Sequence, residues 1–212
     1  MRIPMSDKMD PEWKYALQGL RGMNPPPKPK KPALLVIDMQ RYFCDSDAPA
    51  YSRDFEVVIE PVQALIDRFG ELGLPVFATK YRSTGKPGPT EKWWNSTLEE
   101  SSPWTEIDPR IRLPDGAPVL GKHLYGTFSA TDLDAQLKAL DCDSVVICGV
   151  MTDLCCETTA REAFQHGYTV YFVGDATATS DFMLHLSALA TLAHGFAYIV
   201  TTDDMIEIME GN

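Results

Sequence analysis

Six short apolar runs, alternating with segments of helical periodicity, constrain this chain more than any other feature. They are Ala33-Leu34-Leu35-Val36-Ile37, Pro75-Val76-Phe77-Ala78-Thr79, Pro118-Val119-Leu120, Ser144-Val145-Val146-Ile147-Cys148, Thr169-Val170-Tyr171-Phe172-Val173 and Ala197-Tyr198-Ile199-Val200. A run that is apolar at every position, rather than at alternate ones, suits a strand covered on both faces. Between the runs, Val57, Val58, Val62, Leu65, Ile66 and Phe69 form one helical stripe and Leu133, Leu137 and Leu140 another. Further helices are expected over about 153–166 and 181–194. Such alternation predicts an α/β fold, with a mostly parallel sheet, helices on both faces and right-handed crossovers.

The 212 residues, 44% hydrophobic and 23% charged, suit one domain over 32–212. Residues 1–31 mix charges with Pro25-Pro26-Pro27-Lys28-Pro29 and read as an extended arm. A net charge of −11 argues against nucleic acid or an anionic membrane as partner. No apolar stretch approaches a membrane span, and Asp7, Lys8, Asp10 and Glu12 interrupt any signal-peptide core, so the expected compartment is the cytoplasm. The five cysteines, Cys44, Cys142, Cys148, Cys155 and Cys156, show neither paired extracellular spacing nor a zinc pattern, and read as reduced thiols.

In parallel α/β folds the ligand crevice lies at the carboxyl ends of the strands. Asp38, Lys122 and Cys155 all fall there. Cys155 sits at a predicted helix start, with Thr152 or Asp153 as cap, where N–H groups and the helix dipole favour a thiolate. The backbone N–H groups of Met151 and Cys155 would form an oxyanion hole. Asp38 could take the thiol proton, and Lys122 would favour the thiolate. Each residue also has a plainer reading: Asp38 as a turn cap, Lys122 as a solvated loop cation, Cys155 as core.

Three segments, Val36-Ile37-Asp38-Met39-Gln40-Arg41-Tyr42-Phe43, Lys122 with Tyr125-Gly126-Thr127-Phe128, and Gly149-Val150-Met151-Thr152-Asp153-Leu154-Cys155, resemble in order and spacing the signature segments of the isochorismatase-like cysteine hydrolases. The resemblance runs from about Ala33 to the C-terminus. It implies a Rossmann-like, doubly wound sheet of six strands and an Asp-Lys-Cys triad at Asp38, Lys122 and Cys155. It also implies a small-molecule substrate, frequently a homo-oligomer (dimer or tetramer), and a non-proline cis peptide before Met151. Cys156 would point about 100° away around a helix and pack as a structural thiol.

Members of that family hydrolyse amides, carbamoyl or ureido groups, while isochorismatases cleave a vinyl ether and commonly carry glycine where Cys155 stands. The retained sulfur therefore favours C–N hydrolysis through a covalent acyl-enzyme. Nicotinamidases place an Asp and paired His between the Asp and Lys motifs. Here His123, His166, His185 and His194 all lie beyond Asp38–Lys122, so no metal and no cofactor is expected, and nicotinamide is disfavoured. The long segment 81–114, with Trp93, Trp94 and Trp104, reads as a functional loop or an inter-subunit contact. Tyr42, Phe43, Tyr81, Arg82, Trp94, Tyr125 and Phe128 are substrate-contact candidates, Arg82 as partner of a substrate carboxylate. Two alternatives stand: a vinyl ether hydrolase, and a non-catalytic scaffold marked by a Cys155 slow to alkylate near neutral pH.

Overall fold

The computed structural model describes Gly19 and residues 25–210. Most of the expected arm, residues 1–31, lies outside them. Of its remainder, the Lys30 and Lys31 N–H groups donate to the Asp143 carboxylate, and the Tyr171 hydroxyl donates to the Pro27 carbonyl.

All six apolar runs form strands: β1 (Pro32–Ile37), β2 (Val76–Tyr81), β3 (Val119–Lys122), β4 (Ser144–Val150), β5 (Thr169–Ala178) and β6 (Tyr198–Val200). Their order is β3-β2-β1-β4-β5-β6, and every neighbouring pair is parallel. This is the doubly wound order, with its topological switch between β1 and β4. Helices are α1 (Arg41–Cys44), α2 (Ile59–Glu71), α3 (Pro89–Trp94), α4 (Leu133–Ala139), α5 (Glu157–Gln165), α6 (Phe182–Gly195) and α7 (Thr202–Glu210). The last helix was missing from the sequence expectation.

The continuous apolar strands are explained by two cores. Leu34 and Val36 of β1 face a layer with Val62, Leu65, Ile66 and Phe69 of α2 and Met205 of α7. Ala33, Leu35 and Ile37 face Leu133 and Leu137 of α4, Ala160 and Ala163 of α5 and Leu189 and Leu192 of α6. Successive strand residues point to opposite faces, and both faces are covered. At the switch, Gly149 adopts φ +113°, and a Cβ there would collide with the Ile37 carbonyl oxygen. Only glycine lets the end of β4 approach β1 this closely. That approach brings the segment after Val150 beside Asp38.

The 81–114 segment is ordered rather than a bare loop. It contains α3 and a 3₁₀ turn, Pro103–Thr105, and then returns to the chain following Asp38: Arg41 N–H donates to the Glu106 carbonyl and Asp108 N–H to the Met39 carbonyl.

Candidate active site

Asp38 follows β1 directly and takes the left-handed conformation, φ 49°. For a non-glycine residue that costs on the order of 1 kcal/mol and marks a place worth inspecting. The turn is held by Thr79: the Asp38 N–H donates to Thr79 Oγ1 (3.1 Å), and the Thr79 hydroxyl donates to Asp38 Oδ1 (2.6 Å). The other carboxylate oxygen, Oδ2, accepts from Lys122 Nζ at 2.6 Å. Lys122 ends the edge strand β3, two strands from β1, and its side chain crosses the end of β2 to make this contact. Nζ also donates to Cys155 Sγ (3.2 Å) and to the Leu124 carbonyl (3.1 Å). All three donor protons of the ammonium are therefore used.

Cys155 does not sit in the first turn of an ordinary α-helix. A π-helical turn, Thr152–Cys156, precedes α5, and Met151 rather than Thr152 or Asp153 occupies the cap position. The Thr152 hydroxyl instead pairs with His185 Nδ1 (2.8 Å). The hydrogen bonds that hold the turn are donated by Leu154 and Cys156 to Met151 O, and by Glu157 to Leu154 O and Thr152 O. The Val150–Met151 peptide is cis. Cys156 is fully buried against the sheet.

The three side chains are dry: Asp38 is 0% exposed, Lys122 1% and Cys155 6%. Burial pushes the Cys155 thiol up to about 12; the Lys122 charge opposes the shift, and the Asp38 carboxylate, by charge and by hydrogen bond, adds to it. Desolvation thus outweighs the cation and favours a neutral thiol at Cys155 over the helix-dipole thiolate expected from the sequence. Slow alkylation near neutral pH follows from burial alone and no longer distinguishes a scaffold from an enzyme. Burial lowers the Lys122 pKa, but Asp38 and Cys155 together reverse this and hold it above the usual lysine value.

Around the trio, Tyr81 brings its ring within 5.9 Å of Lys122 Nζ, and its hydroxyl donates to Glu91 Oε1 (3.1 Å). Tyr42 is buried, with its hydroxyl 3.0 Å from Ser96 Oγ. Trp94 Nε1–H donates to the Tyr125 hydroxyl (2.8 Å), joining α3 to the loop after Lys122. Three other candidates make their contacts with groups other than the trio. Arg82 follows Tyr81 and so points to the opposite face, where it lies over Gly121 and pairs with Glu100 at 2.9 Å. Phe43 packs edge-on against Phe55 in the core, and Phe128 stacks on His166 beneath the turn at Gly126.

Gln40 had no assigned role in the sequence, yet it is fully buried and saturated. Its Nε2 donates to the carbonyls of Tyr81 and Thr105 (both 3.0 Å), and its Oε1 accepts from Tyr81 N–H (2.8 Å). It ties β1, β2 and the tryptophan segment together two residues from Asp38. Its only sequence signal was a polar side chain inside an otherwise buried strand exit. A groove of about 550 Å³ lined by Leu74, Pro75, Phe77, Pro118 and Leu140 opens near the amino end of β2 and contains none of these groups. Among the described residues no group of three or more His, Cys, Asp or Glu side chains is placed to hold a metal ion. No described helix is long and apolar enough to cross a membrane.

The same fold recurs in known proteins. Nicotinamidase 3 of Arabidopsis thaliana is 37% identical over 88% of this chain and 92% of its own length. Among solved structures, a cysteine hydrolase from Pseudomonas syringae superimposes with a TM-score of 0.81 at 26% identity, covering 85% of this chain and 93% of that one. N-carbamoylsarcosine amidase from Thermoplasma acidophilum gives 0.74 at 28%, covering 82% and 97%. Residues 32–204 match the isochorismatase domain, from the first residue of β1 into the last helix, and the chain belongs to the isochorismatase-like family of hydrolases.

Proposed function

We propose that this hydrolase cleaves a small carboxamide or ureide C–N bond through a thioester on Cys155, with Asp38 as base and Lys122 as the charge that holds both. One observation carries the reading: a single buried ammonium touches the Asp38 carboxylate at 2.6 Å and the Cys155 sulfur at 3.2 Å. A thiol kept neutral by burial must lose its proton during attack, and the carboxylate that shares the Lys122 ammonium with the sulfur is the acceptor.

As sulfur bonds to the substrate carbonyl carbon, its proton passes to Asp38 and negative charge develops on the carbonyl oxygen. The N–H groups of Met151 and Cys155 would stabilise that oxygen. Asp38 then returns the proton to the departing nitrogen, the C–N bond breaks, and a thioester remains. Water, deprotonated by Asp38, attacks the thioester; the C–S bond breaks and the sulfur regains its proton. Lys122 stays an ammonium throughout, so no charge is created without a partner in the dry site.

Tyr42, Tyr81, Trp94 and Tyr125 are the proposed substrate walls. Two of the similar proteins are named as amidases, which supports C–N chemistry. The histidine pattern argues against nicotinamide, whereas 37% identity to a nicotinamidase argues for it, so nicotinamide belongs in the substrate panel beside N-carbamoyl amino acids. The test is hydrolysis of that panel by wild type and Cys155→Ala, with intact-mass detection of an acyl adduct. Turnover abolished in the variant and an adduct on Cys155 are expected. Full activity of Cys155→Ala would transfer the reading to water-based ether or amide cleavage.

A further inference from the structure

The loop after Lys122 is bound at two levels to the helix that continues from Cys155. Glu162 Oε2 accepts from the Phe128 N–H (2.9 Å), and its Oε1 accepts from the Ser129 hydroxyl. One turn nearer Cys155, Thr159 Oγ1 accepts from the Thr127 N–H (3.3 Å) and pairs with the Thr127 hydroxyl (3.0 Å). Gly126 lies flush against the Glu162 carboxylate, where any Cβ would overlap it. A side chain at Gly126 would have to displace the Glu162 carboxylate and its hydrogen bonds to Phe128 and Ser129. The same loop supplies the Leu124 carbonyl that takes the third proton of the Lys122 ammonium.

We infer that Glu162 is a positioning residue that clamps the Lys122 loop to the nucleophile's helix and thereby sets the reach of the Lys122 ammonium to the Cys155 sulfur. The inference rests on the reading of Lys122 as the charge partner of Cys155. Lys122 stands on an edge strand and its tip must cross β2, so its position is not dictated by the sheet alone. Thr159 and Glu162 are three residues apart in α5, the spacing that puts side chains on one side of a helix, and α5 follows the turn that holds Cys155. A carboxylate there accepts two donors at once and locks the loop to the helix whose first turns hold the sulfur. Without it, the Phe128 N–H and Ser129 hydroxyl lose their acceptor, the loop relaxes, and the Leu124 carbonyl no longer aligns the ammonium. Glutamine can accept from Phe128 N–H and donate to Ser129 Oγ, so it should preserve the clamp while removing the charge.

The readout is the rate of Cys155 alkylation by iodoacetamide as a function of pH, followed by peptide mass spectrometry on the whole protein. Lys122 and Asp38 are the charged groups that face the thiol. Lys122→Met should slow alkylation and move its profile to higher pH. Glu162→Ala should shift it in the same direction, with a loss on the order of tenfold at a fixed pH, while Glu162→Gln stays close to wild type. A folded Glu162→Ala whose profile overlays wild type, or which alkylates faster, would overturn the inference while a shifted Lys122→Met profile leaves the catalytic reading standing. An unshifted Lys122→Met overturns the reading of Lys122 and the inference with it. Should Glu162→Ala not fold, Thr159→Val, which removes the inner pair of bonds at nearly constant volume, carries the same test with the same expected direction.

Discussion

Replacing Lys122 by methionine separates the stability of the site from its chemistry. Lys122 and Asp38 are joined at 2.6 Å with both side chains fully buried. In Lys122→Met the Asp38 carboxylate keeps the Thr79 hydroxyl on Oδ1 but loses its ionic partner on Oδ2. An uncompensated buried charge costs about 3–5 kcal/mol, a large part of the 5–15 kcal/mol typical of a domain. Asp38→Asn should cost a similar amount by stranding the ammonium. In the double variant neither charge is buried, and the two losses should not add. A coupling of about 2–3 kcal/mol is therefore expected from urea unfolding of the four proteins. All three variants should be inactive, so recovery of stability in the double variant would come without recovery of turnover. Additivity within about 0.5 kcal/mol would show that the pair is not an isolated dry ion pair, and would remove the basis for its catalytic role.

The pH dependence has a defined sign. Lys122 is held above its ordinary value of 10.5 in the folded chain. A group whose folded pKa is raised contributes stability that is complete below the unfolded pKa and is lost as pH rises through the folded one. The part of the stability gap between wild type and Lys122→Met that comes from the lysine charge should close in the strongly alkaline range, checked by urea unfolding of both proteins across pH.

Two further outcomes test the placement of single residues. Arg82→Ala should leave kcat/KM within about twofold, because its partner is Glu100 at the surface and not a substrate group; a loss of tenfold or more, measured on the panel that turns over, would return Arg82 to the site. Gly149→Ala should destabilise by more than about 4 kcal/mol or yield insoluble protein, since the added Cβ meets strand backbone that cannot rotate away, and a wild-type urea midpoint would refute the close approach of β1 and β4.

What was legible in the sequence, and what was not, follows the range of the interactions involved. Strand and helix periodicity is local, and all six strands were readable from it. Asp38 and the segment leading to Cys155 leave adjacent strands at the switch point, so strand order alone brings them together. Lys122 is different: it was assigned by its motif, but its route across β2 from the sheet edge depends on register and loop closure that no local pattern encodes. Arg82 pairs with Glu100 rather than with a group of the trio, an outcome that strand alternation anticipates. Once Tyr81 is the last residue of β2 and turns toward Lys122, its successor must face away. Gln40 and Glu162 form the converse case, because their importance is tertiary. Each is an ordinary polar residue until the fold gives it three donor or acceptor groups from distant segments, or a glycine pressed against it. The upward push of burial on the Cys155 thiol belongs to the same class. A helix start and a nearby lysine are visible in sequence and favour a thiolate, but the opposing term is burial of the whole trio, and burial is a property of the assembled fold.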